Sequence, residues 1–296
     1  MLEVSVVIPT YNRLDTLRYV VPSLLNQDIV PFTFEVIIAD SNSNDGTREF
    51  LAQVMRDHPQ VRHLPGPYSG RAMARNAGIA AARADVVIFT DADIIASPSL
   101  LWRHLAHHRR QKRIAVVGLE LQVKSYDDYL VQREDPRTRR PLHPPSRKTL
   151  PWLYFLTGNA SVRRADLQRV GCFDETFTGY GHEDLELGFR LQEAGVTIAY
   201  EPDAVNYHWH PVPHSEQKGR MELAGRSTVR FYRKHPRFSV QAQLGMTPLS
   251  LGLHTVLQRT PGVLHWFDRR APGSKFARNL VQQYHYVSGI KAALAE

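Results

Sequence analysis

The sequence predicts an α/β fold in which a mostly parallel sheet is flanked by helices and followed by a helical C-terminal extension. Over the first ninety residues, three short apolar runs that end in polar residues alternate with segments of helical periodicity. Alternation of this kind produces right-handed strand–helix–strand crossovers and therefore a parallel sheet. We expect residues 1–210 to form this domain and residues 211–296 to form a separate, mainly helical extension.

Length and composition support one large domain with an appendage. The chain has 296 residues, of which 43% are hydrophobic and 22% charged, so it can bury a proper core. Its single cysteine, Cys172, excludes an internal disulfide and a cysteine-based zinc site, and it fits a reducing compartment. No signal-peptide pattern and no bilayer-spanning apolar run is visible, so we expect a cytoplasmic protein.

The net charge of +8 is unevenly distributed. Residues 1–210 contain 24 Lys and Arg against 25 Asp and Glu, whereas residues 211–296 contain 13 against 4. This asymmetry indicates an anionic partner for the extension, either a charged acceptor or the inner face of a membrane bound peripherally. Ordinary solvated helix faces explain it equally well. The extension has no metal-finger spacing and no RNA-binding aromatic motif, so we expect no nucleic-acid partner.

The first strand covers residues 4–8 and ends at Pro9, Thr10 and Tyr11. Asn12 is predicted to cap the helix that follows, with Asp15 reaching back to complete the cap. A strand–turn–helix opening of this kind directs backbone N–H groups at the carboxyl end of the strand. The apolar face of the helix consists of Leu14, Leu17, Val21, Leu24 and Leu25.

The second predicted strand covers residues 35–39 and ends at Asp40. Residues 41–47 form a turn from side chains that satisfy their own backbone, and a helix follows at about residues 47–57. At the end of a buried strand, Asp40 can accept hydrogen bonds from a ribose or a base. The alternative is that Asp40 only caps its own turn.

An alanine-rich helix is predicted over residues 71–83. Arg71 and Arg75 are one turn apart and share a face of this helix. If that face is directed at the strand ends, the two guanidinium groups can hold a nucleotide. If it is not, they are solvated surface residues.

The third predicted strand, residues 86–89, leads to Asp91-Ala92-Asp93. Carboxylates just past the carboxyl end of a buried strand lie where open α/β sheets bind ligands, and two of them at this spacing suit a divalent cation held against phosphates. A solvated turn is the alternative. The glycine motifs of dinucleotide dehydrogenases and P-loop NTPases are absent from the sequence, which argues against both classes.

The middle of the chain is less regular. A helix is predicted at about residues 98–112 and a strand at 114–119, and the basic, proline-rich segment 133–149 is predicted to be a long surface loop. An aromatic run then leads to Gly158-Asn159, where we expect the backbone to approach a ligand closely. A buried strand followed by a turn is the alternative.

A glycine-rich turn at residues 179–181 opens onto a helix whose first turn contains Glu183 and Asp184. The helix dipole favours carboxylates at this position, which is a sufficient structural explanation. A carboxylate kept ionised there can also serve as a general base. Further along, His208 and His210 share one face of an extended segment, and either imidazole can be a metal ligand or a structural group.

The extension contains three helical patterns. Residues 215–234 are basic, residues 249–267 are apolar but interrupted at Pro261, and the last helix has one apolar stripe. Packing on the first domain is the simplest expectation, and a membrane-surface contact or a homodimer contact are the alternatives. The stripe of the last helix is predicted to consist of Phe276, Leu280, Tyr284, Val287 and Leu294.

This ordered set of motifs resembles the inverting family 2 glycosyltransferases of the GT-A fold over roughly residues 3–210. The resemblance implies a mostly parallel, Rossmann-like sheet. It also implies transfer of a sugar from a nucleoside-diphosphate donor, most commonly a UDP-sugar, to an acceptor hydroxyl in polysaccharide, glycolipid or glycoconjugate synthesis. The matched segments are residues 6–13, 37–40, 44–47, 74–78, 91–93, 158–159 and 181–184.

The resemblance also implies a role for each matched position. Asp184 would be the catalytic base, and Asp40 would bind the nucleotide base, although Ser41 stands where the family often has a second Asp. Positions implied to contact the nucleotide-sugar are Pro9, Thr10, Tyr11, Arg13, Asp40, Arg75, Asp91, Ala92 and Asp93. Positions implied to contact substrate are Gly158, Asn159 and Glu183.

The implied metal ligands are Asp91, Asp93 and His208. Such a mixed carboxylate and imidazole set suits Mn²⁺ better than Mg²⁺. Two other functions remain open at this point: a retaining transferase of the same fold, and a non-catalytic subunit that binds a sugar nucleotide.

Overall fold

The structure, a computed structural model, describes residues 2–27, 32–141, 145–209 and 214–296. The chain divides into two units. The sheet unit contains Met1–Thr178 and Glu183–Pro211, and the helical unit contains Gly179–His182 and Val212–Glu296. The boundary predicted between residues 210 and 211 lies outside the described residues.

The described residues of the sheet unit form nine strands of one sheet. In chain order they are β1 (Val4–Thr10), β2 (Phe34–Asp40), β3 (Val61–Pro65), β4 (Val86–Phe89), β5 (Ile94–Ala96), β6 (Ile114–Gln122), β7 (Thr149–Leu150), β8 (Ala160–Arg163) and β9 (Thr197–His208). The spatial order is β3-β2-β1-β4-β8-β6-β9-β5, with β7 paired to β9.

The predicted parallel sheet is confirmed for the first half of this order. β1 pairs in parallel with β2 and β4, and β2 pairs in parallel with β3. In the second half β8 lies antiparallel between β4 and β6, whereas β6 and β9 are parallel to each other. The carboxyl ends of β1, β2 and β4 therefore lie at one edge of the sheet, where the polar motifs follow them.

Helices flank the sheet, and their apolar faces form the core with it. From the first helix, Leu14–Leu25, the side chains of Leu17, Val20, Val21 and Leu24 are fully buried in this core. Gly78 lets the third helix approach β1, since a Cβ atom there would lie 2.3 Å from a methyl group of Val7. The helices are α1 (Leu14–Leu25), α2 (Thr47–Asp57), α3 (Arg71–Ala81), α4 (Leu100–Arg110), α5 (Tyr126–Glu134), α6 (Arg164–Val170) and α7 (Glu183–Glu193).

Strand β3 and helix α5 are among the elements that were not predicted from the sequence. Strand β3 lies at the end of the strand order, next to β2, and contains Arg62 and His63 between its apolar residues, so its pattern is too polar to predict a buried strand. Helix α5 and a short 3-10 turn at Pro136–Thr138 precede and interrupt the predicted 133–149 loop. Residues 142–144 of that loop lie outside the described residues.

The predicted cap of α1 is wrong. Asn12 lies in the left-handed region (φ 49°), the N-cap residue is Arg13, and its side chain makes no capping hydrogen bond. Instead, the backbone N–H of Leu14 donates to Asp45 Oδ2 at 2.9 Å, and Asn12 Oδ1 accepts from the N–H of Asn44 at 2.9 Å. The loops after the paired strands β1 and β2 therefore cap each other.

The helical unit consists of α8 (His214–Lys234), α9 (Phe238–Gln243), α10 (Pro248–Arg259), α11 (Pro261–Arg270) and α12 (Lys275–Ala295). Two glycines bring α8 and α12 into backbone contact. A Cβ atom on Gly225 would lie 2.0 Å from the carbonyl oxygen of Tyr286, and one on Gly289 would lie 2.0 Å from that of Glu222. Among the described residues, no helix combines the length and the apolar character required to cross a bilayer.

This close packing corrects the predicted stripe of the last helix. The buried face of α12 is built mainly of small and branched residues: of the predicted stripe, Val287 is buried, whereas Phe276 and Leu294 are exposed. The reason is that large side chains would prevent the two helix backbones from touching. The buried residues are Ala277, Val281, Val287, Gly289, Ile290 and Ala293.

Candidate active site

Arg75 on α3 is the centre of a buried ionic cluster. Its Nη2 donates to Asp91 Oδ1 at 2.8 Å, and its Nη1 donates to Glu183 Oε1 at 3.1 Å. The guanidinium group lies 5.5 Å from the ring centroid of Phe173, and the side chain is only 1% exposed. The structure thus brings three predicted site residues together, and Arg75 is not a solvated surface residue. We call Arg75, Asp91 and Glu183 the arginine cluster.

Glu183 has a spare acceptor in this cluster. Its Oε1 is shared by Arg75 and by Arg71, whose Nε lies 3.3 Å away. Its Oε2 is buried and has no hydrogen-bond partner within the described residues, and the same is true of Arg75 Nε. Buried polar atoms are nearly always paired, so an unpaired carboxylate oxygen beside the predicted base is a candidate contact for a ligand.

Asp184 follows Glu183 in the first turn of α7 and is half-buried. Burial, together with the charge of Glu183, raises the pKa of Asp184 to about 6, and the positive charges of Arg75 and Arg71 oppose the rise. At neutral pH this carboxylate is ionised, yet it is more basic than an ordinary aspartate. That combination is the one expected of a general base.

Asp93 and His208 form a second group, together with Glu120 at the end of β6. His208 Nε2 lies 3.6 Å from Asp93 Oδ1, and His208 Nδ1 donates to Glu120 Oε1 at 3.0 Å. Burial lowers the pKa of His208, but the hydrogen bond to Glu120 and the charges of Glu120, Asp93 and Asp91 outweigh it and raise the pKa to about 9. We call Asp93, His208 and Glu120 the histidine cluster.

The histidine cluster fits one divalent ion only in part. Across residues 2–27, 32–141, 145–209 and 214–296, no group of three Cys, His, Asp or Glu side chains is arranged to hold a metal. Asp93 and His208 are two donors separated by little more than the roughly 3 Å between neighbouring ligands of an octahedral ion. They could share an ion whose other ligands are diphosphate and water. Asp91 is engaged by Arg75 instead, and His210 lies outside the described residues.

The β1–α1 segment reaches the same edge of the sheet. The hydroxyl of Thr16 on α1 donates to the carbonyl oxygen of Ala92 at 2.8 Å, which holds the Asp91–Asp93 turn against the helix. The positive charge of Arg13 acts on Asp93. Thr10 is buried, whereas Tyr11 exposes much of its ring.

Asp40 is fully buried at the end of β2. Its Oδ1 accepts from the backbone N–H of Ser43 at 3.0 Å, and its Oδ2 lies 3.2 Å from His63 Nε2. Asp40 therefore caps its own turn, the alternative that the sequence left open, and it also binds a residue of the unpredicted strand β3. Contact with a nucleotide base stays a prediction for this residue.

Asn159 lies inside the sheet unit and not at its surface. Its Nδ2 donates to the carbonyl oxygen of Ala204 at 2.9 Å, and its Oδ1 accepts from His104 Nε2 at 2.8 Å. Both ends of the amide thus hold strand β9 and helix α4 in place. These bonds give Asn159 a structural role, and its contact with substrate stays a prediction.

Gly158 connects to the histidine cluster. A Cβ atom on Gly158 would lie 2.8 Å from Glu120 Oε2 and 2.9 Å from Ile94 Cδ1. The backbone at Gly158 closely approaches the carboxylate that orients His208, and its approach to a ligand stays a prediction.

Glu120 is the site residue that the sequence analysis missed. It belongs to the strand run Leu119-Glu120-Leu121, carries no motif, and is separated from His208 by 88 residues. The available signal was an acidic residue near the carboxyl end of an otherwise apolar strand, a local inconsistency of the kind found at functional sites.

Comparison with known proteins gives matches over most of the chain. A family model described as glycosyl transferase family 2 matches residues 5–171, and one described as the N-terminal domain of galactosyltransferase matches residues 142–212. Validoxylamine A glucosyltransferase of Streptomyces hygroscopicus subsp. limoneus is 33% identical over 261 residues, which cover 78% of this chain and 56% of that protein. The uncharacterized glycosyltransferase YfnE of Bacillus subtilis is 28% identical, over 71% of this chain and 66% of that protein. The chain spans about 56% to 66% of the length of these curated relatives.

Solved structures share the fold. Mannosyltransferase PcManGT from Pyrobaculum calidifontis, in complex with GDP-Man and Mn²⁺, has a TM-score of 0.68 at 20% identity and covers 99% of this chain and 87% of that chain. S. aureus TarS 1-349 in complex with UDP has a TM-score of 0.59 at 17% identity, and the match covers 99% of this chain and 89% of that chain. At these identities the likeness shows the fold alone, and it confirms the predicted GT-A type.

Proposed function

This chain belongs to glycosyl transferase family 2, and we propose that it transfers a sugar from a nucleoside-diphosphate donor to an acceptor hydroxyl with inversion at the anomeric carbon. The observation that carries the proposal is Asp184, a carboxylate of raised pKa that directly follows the arginine cluster in sequence. We expect the transferred sugar to be a hexosyl or N-acetylhexosaminyl group and the donor to be a UDP-sugar.

The donor would bind at the carboxyl edge of β1 and β4. The exposed ring of Tyr11 can stack on a base, and the spare oxygen of Glu183 can accept from a sugar hydroxyl. Solved relatives of this fold hold GDP-Man with Mn²⁺ or hold UDP, which supports a nucleoside-diphosphate donor here. Pro9, Thr10, Arg13 and Asp40 would line the same donor site.

Asp93 and His208 would hold a divalent ion, with Mn²⁺ favoured over Mg²⁺ by their carboxylate and imidazole donors. When bound, such an ion neutralises the negative charge that develops on the departing diphosphate. Glu120 accepts the Nδ1 proton of His208, which leaves the Nε2 atom, 3.6 Å from Asp93 Oδ1, to give up its proton and ligate the ion.

Asp184 would act as the general base. Its carboxylate takes the proton of the acceptor hydroxyl while that oxygen forms a bond to the anomeric carbon. The bond between the anomeric carbon and the diphosphate oxygen breaks on the opposite face, and its electron pair leaves with the nucleoside diphosphate. A single displacement of this kind inverts the anomeric configuration.

The test of this role is Asp184→Asn. We expect Mn²⁺-dependent binding of UDP, measured by isothermal titration calorimetry, to remain within about threefold, and transfer to fall by roughly 10²- to 10⁴-fold because the base is lost. Asp203→Asn, a variant of an exposed carboxylate elsewhere on the sheet unit, is the control and should behave as wild type.

Near-normal turnover of Asp184→Asn would contradict the assignment of the base. The anomeric configuration of the wild-type product, read by NMR, separates inversion from retention. A wild-type protein that binds UDP or GDP but transfers no sugar to any hydroxyl acceptor would instead indicate a non-catalytic sugar-nucleotide-binding subunit.

A further inference from the structure

Helix α10 of the helical unit exposes an apolar stripe. Leu249, Leu253 and Val256 are 83%, 53% and 59% exposed, and their spacing places them on one face of the helix. The adjoining face is buried through His254 and Leu257. An amphipathic helix normally buries its apolar face, so an apolar face directed at solvent indicates a binding surface.

The next two helices continue this exposed apolar surface. Only Thr260 separates α10 from α11, which exposes Val263 and Trp266. The ring of Trp266 lies 4.8 Å from that of Phe267, which lies 5.9 Å from that of Phe276, a residue 68% exposed at the start of α12. We call the exposed side chains of Leu249, Leu253, Val256, Val263, Trp266 and Phe276 the apolar patch.

The surroundings of the apolar patch are positively charged. The guanidinium group of Arg270 stacks 3.7 Å above the Trp266 ring. Between residues 248 and 278, Asp268 is the only acidic residue, and it pairs with Lys218 at 2.7 Å. The basic residues of the same segment are Arg259, Arg269, Arg270, Lys275 and Arg278.

The positive charges around the apolar patch favour an anionic bilayer over a second copy of this chain as its binding partner. A second copy of the patch would bring basic residues against basic residues, which opposes self-association. An anionic bilayer surface attracts each such residue, and tryptophan and phenylalanine favour the boundary between headgroups and acyl chains. With 12 and 10 residues, α10 and α11 are too short to span a bilayer but suit a position within its surface.

We propose that the apolar patch binds the surface of an anionic lipid bilayer. Leu249, Leu253, Val256 and Trp266 enter the headgroup boundary, while the neighbouring arginines contact lipid phosphates. This inference does not depend on the transferase activity, because it rests on the helical unit alone.

The experiment is flotation of the full chain with vesicles of phosphatidylcholine alone or with added phosphatidylglycerol. We expect binding to the anionic vesicles only, and weaker binding at high salt because salt screens the charges. Val256→Glu should lower the partition coefficient by roughly tenfold or more, since it removes buried apolar surface and adds a repelled charge. Val131→Glu is the matched control, because Val131 on α5 is similarly exposed at 53%.

A second variant, Arg269→Gln with Arg270→Gln, should reduce binding to anionic vesicles and flatten its salt dependence. Circular dichroism melts should match wild type for all variants, since every changed side chain is exposed. Absence of binding to anionic vesicles, or equal binding by the Val256→Glu and Val131→Glu variants, would overturn the proposal. A dimer in analytical ultracentrifugation that the Val256→Glu variant abolishes would overturn it as well, because it would assign the patch to a second copy.

Discussion

Asp91 and Asp93 are two residues apart in sequence, yet they lie in clusters of opposite character. Asp91 is held by Arg75, a permanent cation, and although burial raises its pKa, the charges of Arg75 and Arg71 outweigh it and bring the pKa below the usual range. Asp93 faces His208, a cation only when protonated, and burial together with the charge of Asp91 raises its pKa. The arginine cluster is therefore an internal ion pair, whereas the histidine cluster can exchange its proton for a metal.

This difference indicates a division of labour at one strand end. The arginine cluster connects α3, the β4 end and the first turn of α7, so it holds the turn that contains Asp184. The histidine cluster keeps two donor atoms, Asp93 Oδ1 and His208 Nε2, directed toward each other. We therefore expect the arginine cluster to govern mainly stability and the histidine cluster mainly metal binding.

The largest effect is expected from Arg75→Met. Removing this buried cation takes away the ion pair of Asp91 and one of the two arginines that contact Glu183, so the free energy of unfolding should fall by about 3–5 kcal/mol, measured by urea denaturation. Arg109→Met, which breaks the exposed pair with Glu3, is the control and should change it by less than about 1 kcal/mol. Equal stability of the two variants would show that the arginine cluster does not hold the fold.

Next in size is Asp93→Asn. We expect Mn²⁺-dependent binding of UDP or GDP, measured by titration calorimetry, to weaken by roughly a hundredfold or more. The reason is that the variant loses the Asp93 carboxylate, one of the two proposed protein ligands of the ion. Unfolding by urea should be little changed, in contrast to Arg75→Met. Metal-dependent binding at wild-type strength would remove Asp93 from the metal site and would contradict the division between the clusters.

Glu120→Gln tests the residue that orients His208. Losing the acceptor for the Nδ1 proton should weaken Mn²⁺ affinity by roughly 10- to 100-fold, followed by electron paramagnetic resonance of free Mn²⁺ in the presence of UDP. Glu201→Gln is a matched control, because Glu201 accepts from His107 at 2.8 Å in a similar pair away from the site. An equal loss in both variants would mean that Glu120 acts only through the fold.

The smallest effect expected is that of pH. Because burial and Glu183 raise the pKa of Asp184 to about 6, its base form is lost as the pH falls through 6. Transfer at saturating donor should therefore decrease by about tenfold between pH 8 and pH 5. Arg71→Gln removes a positive charge that lowers the pKa of Asp184, so the decrease in rate should begin at a higher pH. Asp203→Asn should leave the pH dependence of the rate unchanged. A rate independent of pH across this range would contradict the base assignment.

Much of the site could be predicted because its residues end predicted elements. Asp91 and Asp93 follow a buried strand, and Glu183 and Asp184 open a helix after glycines, so local patterns were sufficient to find them. The pairing of Arg75 with Glu183 could not be predicted, because the distance between α3 and α7 depends on tertiary packing. Glu120 was missed because its contact with His208 depends on how β6 and β9 pair, and that register shifts between Gly118 and Leu119.

The sequence by itself determined which segments form most strands and helices, the polar residues at the strand ends, and the positive charge of the extension. These properties follow from periodicity and composition, which are local. Only the tertiary structure decided that Asp91 is paired with Arg75, that Asp45 and not Asn12 caps α1, and that the amide of Asn159 bonds to His104 and to the backbone of Ala204. It also decided that Gly225 and Gly289 bring α8 and α12 together and leave Phe276 exposed, because close packing depends on the shapes of elements distant in the chain.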